Sequence, residues 1–413
     1  MNKASPFDWR RRVALIAVVV VMASGILAAR HKLVRVVEVY REQGVSGVCR
    51  KIVGQPSIPW ASVQPSEVGL DPQRLEKLTQ DLAAKRTASF IIVRQGYIAQ
   101  EWYSAGRDHV DLHKVAALPK AVNASLVLAL ALEEGWVQLD DLVSKYIPGW
   151  RDDPVRSQIT LRHLASHSSG LEDVDFEFLE PGWKTDYVKN ARSRCSYALD
   201  RADILHDPGT IYSYSGVGFY VLSYSLMKSM QGQPISDVRT LLTERVMRPL
   251  GVYSDDWRGY HGPHEVDEMR FYAIGSGFGY TARALARVGQ LVLNEGEWEG
   301  RSLVGREYIQ TVVSYAQSPQ DRGLTPGEPA SGLGWWINDE RYWPSLPKDA
   351  VVGAGVGHQL LLIVPSLELV VVRQGESMMG KNSWGEPFWR ELEAHIFEPL
   401  MATIQVPSKV AVD

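Results

Sequence analysis

An apolar stretch from Val115 to Gly135 predicts a buried helix. Ala, Leu and Val dominate it, Pro119 stands where a first helical turn tolerates proline, and Gly135 is a natural C-terminal stop. Lys120 is the only charged residue between Val115 and Glu133. Because removing an ammonium from water is costly, this lysine needs a partner or a lowered pKa.

The stretch before this helix predicts a helix and a hairpin. Asp71 is a suitable N-cap and Pro72 a suitable first residue for an amphipathic helix that reaches about Lys85. Residues 89–94 and 96–103 are rich in strand formers, with a turn at Gln95 and Gly96.

The stretch after it predicts helices first and strands last. Helices are expected up to Met230, over 233–252, after the N-cap Thr281, and over 384–401. Strand formers fill residues 332–337, 351–352, 359–364 and 367–373. Strands at both ends with helices between them predict one sheet assembled from N- and C-terminal parts, with a helical region inserted.

The N-terminus carries a targeting pattern. Three arginines at 10–12 precede an apolar run from Val13 to Ala29, and Arg30-His31-Lys32 follows it. This length suits a short membrane span or a long signal-peptide core. We expect residues 1–32 to be an uncleaved signal anchor that leaves the folded domain exported, with a cleaved signal peptide as the alternative.

The boundaries of the folded domain follow from composition. Residues 33–63 contain several Gly and Pro with little periodicity and predict a linker, residues 64–402 the domain, and residues 403–413 a tail. Net charge is −4, so no basic field favours nucleic acid. Cys49 and Cys195 form a disulfide or stay as two thiols, and the sequence leaves both open.

The lysine helix resembles the Ser-x-x-Lys helix of the serine β-lactamases and penicillin-binding proteins, most closely the class C-like esterases, amide hydrolases and D-amino-acid peptidases. Residues 139–148 (LDDLVSKYIP) and 159–171 (ITLRHLASHSSGL) resemble family segments in the same order. The resemblance covers about residues 64–400. It implies an α+β fold with a mainly antiparallel sheet, flanking helices, and a pocket between the sheet and an inserted helical lobe.

The same resemblance implies a catalytic set with two departures. Lys120 matches the lysine that relays the proton of the serine nucleophile, but the serine position is Ala117. Tyr214 matches the tyrosine of a Tyr-x-Asn motif, which acts as base toward the nucleophile and acid toward the leaving group. The asparagine position is Gly216, which removes an amide that would hold substrate or orient the lysine.

A third segment, Gly353–Gln359, takes the place of the family's Lys/His-Thr-Gly strand, which binds substrate and lends an N–H to the oxyanion hole. The resemblance implies substrate-binding roles for Gly357, His358 and Gln359. It implies no cofactor. His163 and His167 have the spacing of a metal pair, but a third ligand is missing from the pattern and both fall in a structural family block, so we expect no metal site.

The methyl group of Ala117 cannot attack a carbonyl, and three interpretations remain. The chain is a serine hydrolase domain that is inactive or strongly impaired, or a non-catalytic ligand-binding or scaffold pseudoenzyme of the cell envelope. In the third and least favoured one, Lys120, Tyr214 or His358 activates water. The expected partners are a small-molecule or peptide ester or amide ligand and, through the N-terminal helix, the membrane. The oligomeric state stays open.

Overall fold

The computed structural model describes residues 60–174, 183–190, 194–314, 316 and 328–405. The chain divides into two units, Met1–Trp60 and Ala61–Asp413, and the description below concerns the second. The predicted signal anchor, most of the predicted linker and Cys49 lie outside the described residues. Within the part of the chain that is described, no helix has the length and apolar character needed to cross a membrane.

The helices are numbered in chain order. They are α1 (Pro72–Ala83), α2 (Ser125–Glu133), α3 (Leu161–Ala165), α4 (Trp183–Lys189), α5 (Arg194–Asp200), α6 (Gly216–Ser229), α7 (Val238–Leu242), α8 (Ala282–Leu293), α9 (Arg306–Val313), α10 (Glu386–Leu392) and α11 (Glu398–Met401). Single π-helical turns precede α2 and follow α7 and α10, at Lys120–Ala124, Thr243–Met247 and Glu393–Phe397.

The strands are numbered in the same way. They are β1 (Thr87–Arg94), β2 (Tyr97–Tyr103), β3 (His113–Lys114), β4 (Trp257–Gly259), β5 (His264–Val266), β6 (Met269–Phe271), β7 (Phe278–Tyr280), β8 (Glu297–Trp298), β9 (Arg301–Ser302), β10 (Ala330–Ser331), β11 (Trp336–Ile337), β12 (Val351–Gly355), β13 (Gln359–Val364) and β14 (Leu369–Gly375).

The main sheet joins the two ends of the domain, as the sequence predicts. Its seven strands lie in the order β10-β11-β12-β13-β14-β1-β2, and each neighbouring pair is antiparallel. In the register, Ile92 lies opposite Val371, which in turn lies opposite Leu362. The predicted α+β class with a mainly antiparallel sheet is therefore confirmed.

Both faces of this sheet are covered, which explains why its strands read as continuous apolar runs rather than alternating ones. On one face, Ile92 and Leu362 belong to a core cluster with Leu78 of α1 and Phe388 of α10. On the other face lies α8, where a Cβ on Gly289 would come within 2.6 Å of Val370. Helices α2, α3, α5, α6 and α9 pack on one another as the predicted helical lobe.

Several element boundaries differ from the prediction. The helix expected from Val115 begins only at Lys120, because Ala116 takes a left-handed backbone conformation with φ of 49°. Its end is as predicted, with Gly135 at φ 70°. The helix expected from residue 233 starts after Asp237, whose side chain accepts from two backbone N–H groups.

Candidate active site

Lys120 lies at the start of the π-helical turn before α2 and is 3% exposed. Its Nζ donates to the hydroxyl of Tyr214 at 2.7 Å and lies 5.3 Å from the ring centre of Phe219. Burial lowers the pKa of Lys120 to about 8, and the negative charge of Asp173 opposes that fall. The amine is therefore close to the protonation state that a general base needs.

Tyr214 is fixed by aromatic rings and by its own backbone. The imidazole of His167 stacks on it with centroids 4.5 Å apart, and Trp384, which is half-buried, packs edge-on at 5.1 Å. The next residue, Ser215, donates its N–H to His167 Nδ1 at 3.0 Å. Burial raises the pKa of Tyr214 well above its ordinary value, so at neutral pH it is a neutral phenol.

Ala117 lies three residues before Lys120 and is only partly covered. The N–H of Lys120 donates to the carbonyl of Ala117 at 3.0 Å, which places both residues in one turn. Strand β12 passes close by, because a Cβ on Gly355 would lie 2.9 Å from Ala117 N. The methyl group thus occupies the position that precedes the lysine by one turn, beside the sheet.

Gly216, the first residue of α6, faces a carboxylate. Its N–H donates to Asp173 Oδ2 at 2.9 Å, and the N–H of Val217 donates to Asp173 Oδ1 at 3.3 Å. A Cβ on Gly216 would lie 3.4 Å from Asp173 Oδ1. The position where the resemblance expects an amide is therefore bordered by an acidic group.

Together these residues place an amine, a phenol and an alkyl group where the family resemblance implies a lysine, a tyrosine and an attacking hydroxyl. Lys120 donates a hydrogen bond to Tyr214 in a setting that lowers the pKa of the amine toward neutral pH. A hydroxyl on position 117 would lie in the turn that leads into Lys120, because the carbonyl of Ala117 accepts from the N–H of Lys120.

The beta-lactamase family model matches residues 75–374 of the chain. The chain belongs to the beta-lactamase family. This agrees with the resemblance carried by Lys120 and Tyr214, and it covers most of the described domain.

Similar proteins include one named as a hydrolase, one that is uncharacterized, and solved structures that share the fold. A 6-aminohexanoate-dimer hydrolase of Paenarthrobacter ureafaciens is 24% identical over 341 residues, which cover 78% of this chain and 80% of that protein. An uncharacterized protein of Alkalihalophilus pseudofirmus is 25% identical over 338 residues, covering 75% and 88%. The crystal structure of a penicillin-binding protein homolog from Caulobacter crescentus shares the fold, with a TM-score of 0.59, 18% identity and coverage of 81% and 99%.

In this beta-lactamase-family chain, the residue of the Gly353–Gln359 segment that comes close to Ala117 is Gly355, not Gly357. His358 is fully buried, with its ring stacked on Phe388 at 4.8 Å and its Nε2 2.8 Å from Glu391. Its Nδ1 accepts from a backbone N–H, and burial lowers its pKa to about 4, so it is a neutral core residue at pH 7. The structure thus places His358 in the core between β13 and α10.

Gly357 and Gln359 line an open cleft of about 380 Å³ at the turn between β12 and β13. Gln359 Nε2 donates to the carbonyl of Gly375 at 2.5 Å. The buried guanidinium of Arg373 donates to the carbonyls of Gly357 and His358, at 2.6 and 3.0 Å. The substrate-binding role of Gly357, His358 and Gln359 stays a prediction. The contacts described here show that these three residues help to shape the turn between β12 and β13.

The remaining sequence candidates have structural partners. His163 accepts from the N–H of Thr160 in a helix cap at 3.2 Å, and His167 packs on Tyr214. Among the described residues, no group of three His, Cys, Asp or Glu could hold a metal ion. Cys195 is a free, fully buried thiol.

Two contributors to the site were not singled out from the sequence. Asp173 comes from the irregular segment after the "HSSGL" block, and Trp384 from the stretch before α10. The sequence offers a weak signal for Asp173 only, as an acidic residue soon after a family block. Nothing in the local pattern around Trp384 indicates that it reaches Tyr214.

Proposed function

We propose that this beta-lactamase-family chain binds an ester, amide or cell-wall peptide ligand beside Lys120 and Tyr214, and that it transfers acyl groups weakly or not at all. The observation that carries the proposal is the hydrogen bond of 2.7 Å between Lys120 Nζ and Tyr214 OH, next to the methyl group of Ala117. The proton-transfer pair is kept, and the atom it would activate is missing. A ligand can be held in such a site without forming an acyl-enzyme.

The aromatic rings beside Tyr214 and the neighbouring edge of the sheet support an extended, partly apolar ligand. Tyr214 and Trp336 stack in parallel with centroids 6.3 Å apart, and Trp384 packs edge-on against both. Strand β11 pairs with only the first two residues of β12, Val351 and Val352. Among the described strands, the rest of β12 therefore has no partner on that side. Such an edge offers backbone groups to an extended ligand. The name of the Paenarthrobacter relative, a 6-aminohexanoate-dimer hydrolase, supports an amide as that ligand.

The test compares ester hydrolysis by the full chain with that by its Ala117→Ser variant. Loss of a serine nucleophile costs on the order of a millionfold in turnover. With p-nitrophenyl butyrate we expect the variant to release nitrophenol at least about a hundredfold faster than the parent, because Lys120 can then deprotonate a hydroxyl one turn away. The matched control is Ala116→Ser, which adds the same hydroxyl one residue earlier and leaves the rate at the parent level.

Two results would contradict this proposal. Equal hydrolysis by the parent and Ala117→Ser would mean that another group attacks, or that water is activated directly. If neither protein hydrolyses esters or amides, the pocket accepts no acyl ligand. The interpretation as a scaffold of the cell envelope would then replace this proposal.

We further propose that residues 1–32 anchor the chain in a membrane with the folded domain on the exported side. The three arginines at 10–12 before the apolar run Val13–Ala29 support this orientation. In a bacterial host, the full chain should sediment with membranes, and protease added to spheroplasts should digest its domain. Recovery of the full chain in the soluble fraction would contradict the anchor.

A further inference from the structure

Asp173 lies beside the active site although it comes from outside the matched motifs. Its two carboxylate oxygens accept the N–H groups of Gly216 and Val217, at 2.9 and 3.3 Å. These are the first two residues of α6, whose N–H groups lack partners within the helix. The carboxylate therefore fixes the start of α6.

The same carboxylate borders the place of the missing side chain. A Cβ on Gly216 would lie 3.4 and 3.5 Å from the two oxygens of Asp173, which is van der Waals contact. The side chain of an asparagine at position 216 would therefore begin against the carboxylate of Asp173.

Tyr214 is held from two directions by this arrangement. On one side, the carbonyl of His167 accepts from Ser213 N at 2.8 Å and its Nδ1 accepts from Ser215 N at 3.0 Å. On the other side, Asp173 holds Gly216, two residues after Tyr214. The backbone that carries the phenol is thus clamped between two groups, and the phenol reaches Lys120.

We propose that Asp173 is a positioning residue that stands in for the amide absent from position 216 and, by holding the start of α6, keeps Tyr214 against Lys120. This inference rests on the proposed function only in the acylation experiment, which uses the Ala117→Ser background. The titration of Lys120 tests it in the parent chain without any turnover.

The charged and titratable groups around Lys120 are few. Asp173 is the acidic group that acts on it and raises the pKa that burial lowers. Burial raises the pKa of the Asp173 carboxyl itself, while the N–H groups of Gly216 and Val217 and the charge of Lys120 act in the opposite direction. His167 is neutral, because burial and the charge of Lys120 hold its pKa well below the ordinary value. Tyr214 is a neutral phenol that is also exposed to the charge of Glu328. Without the charge of Asp173, burial of the ammonium would lower the pKa of Lys120 further.

The experiment titrates Lys120 by NMR in the full chain labelled with lysine carrying ¹³C at the ε-carbon, with the resonance assigned from Lys120→Met. Asp173→Asn keeps the size of the side chain and removes its charge. We expect the pKa of Lys120 to fall by about 1, the lower end of the effect of a nearby opposite charge. The matched control is Glu172→Gln, which removes a neighbouring charge that pairs with Lys184 at 2.5 Å, and it leaves the pKa unchanged.

A second pair of variants tests the replacement itself. In the Ala117→Ser background at about pH 10, where the amine of Lys120 is neutral with or without Asp173, Asp173→Ala should slow labelling by a fluorophosphonate at least about tenfold, and adding Gly216→Asn should recover most of that loss by putting an amide into the emptied space. A folded Asp173→Asn chain with an unchanged Lys120 pKa would overturn the proposal, as would the absence of rescue by Gly216→Asn. If Ala117→Ser is itself inert, the proposed function fails, while the titration still decides the role of Asp173.

Discussion

Lys120 is buried with one hydroxyl within hydrogen-bond reach and aromatic rings around it. In such a place the ammonium loses hydration that a single phenol does not replace, so the pKa falls toward neutrality. Tyr214 responds in the opposite direction, because burial disfavours its phenolate. Of the two, Lys120 is the group that can accept a proton near pH 8.

This assignment predicts the pH dependence of Ala117→Ser. Below the pKa of about 8 the amine is mostly charged and cannot take the hydroxyl proton, and above it the amine is mostly neutral. Only about a tenth of the amine is neutral at pH 7, against about nine-tenths at pH 9. The rate of acylation by a fluorophosphonate should therefore rise about tenfold between pH 7 and 9.

Progress curves recorded with and without protein correct for hydrolysis of the reagent at high pH. The variant Ala117→Ser with Lys120→Met should lose the rise. A rate that stays flat from pH 7 to 9 would mean that Lys120 is not the base.

Lys120 and Tyr214 could be identified from the sequence because each lies inside a short local motif. Asp173 could not, because it acts on Gly216 from 43 positions earlier in the chain. The folded positions of residues 171–174 decide that contact, and no periodic pattern encodes them. His358 shows the opposite case, since a polar residue in a family-like segment turned inward to Phe388 and Glu391.

The start of the lysine helix depends on close approach between a turn and a strand. Ala116, at φ 49°, turns the chain so that Ala117 lies against β12. A Cβ on Gly355 would stand 2.9 Å from Ala117 N and 3.1 Å from Leu118 N. Because real Cβ atoms do not come this close to backbone, the glycine is what allows β12 to border the site.

We therefore predict that Gly355→Ala destabilises the domain by about 1–3 kcal/mol, the usual range for overpacking a close contact. In the Ala117→Ser background it should also slow acylation, because the helix start must move. Urea unfolding followed by circular dichroism measures the first effect.

Gly149→Ala is the matched control, since no atom lies within 4 Å of the Cβ it would add. Its free energy of unfolding should stay within about 0.5 kcal/mol of the parent. A Gly355→Ala chain as stable as this control would show that β12 and the helix start are not in firm contact.

Element boundaries were the weaker part of the prediction, for physical reasons. The sequence Val115–Pro119 is as apolar as the helix after it, so composition alone cannot mark where the helix begins. The short strands β10 and β11 have two residues each, too few to form a pattern. The long strands β1, β13 and β14 were placed correctly because apolar runs bounded by turns are an unambiguous signal.

The molecule as a whole is held by a sheet that its first and last segments build together. β1 pairs with β14 and with β2, so the N-terminal hairpin is locked to the C-terminal strands. The helical lobe is inserted between them in sequence, and Lys120 and Tyr214 both come from that insertion. The topology could be predicted from strands at both ends, whereas the contact between Lys120 and Tyr214 required the family resemblance.

Packing of the helical lobe gives a probe of global unfolding. Cys195 of α5 is fully buried, its Sγ lies 3.8 Å from the carbonyl of Tyr220 in α6, and burial raises the pKa of its thiol. Under reducing conditions, N-ethylmaleimide should modify Cys195 in the folded chain at least about a thousandfold more slowly than in urea. Peptide mass spectrometry separates this label from that on Cys49, and equal rates would contradict a packed lobe.

Mass spectrometry of the intact full chain after exposure to a fluorophosphonate decides whether position 117 is the missing attacking group. We predict no adduct on the parent, one adduct on Ala117→Ser that maps to position 117, and none on the control Ala116→Ser. An adduct on the parent, or on another residue of Ala117→Ser, would contradict a proton-transfer pair that is intact and lacks only its nucleophile.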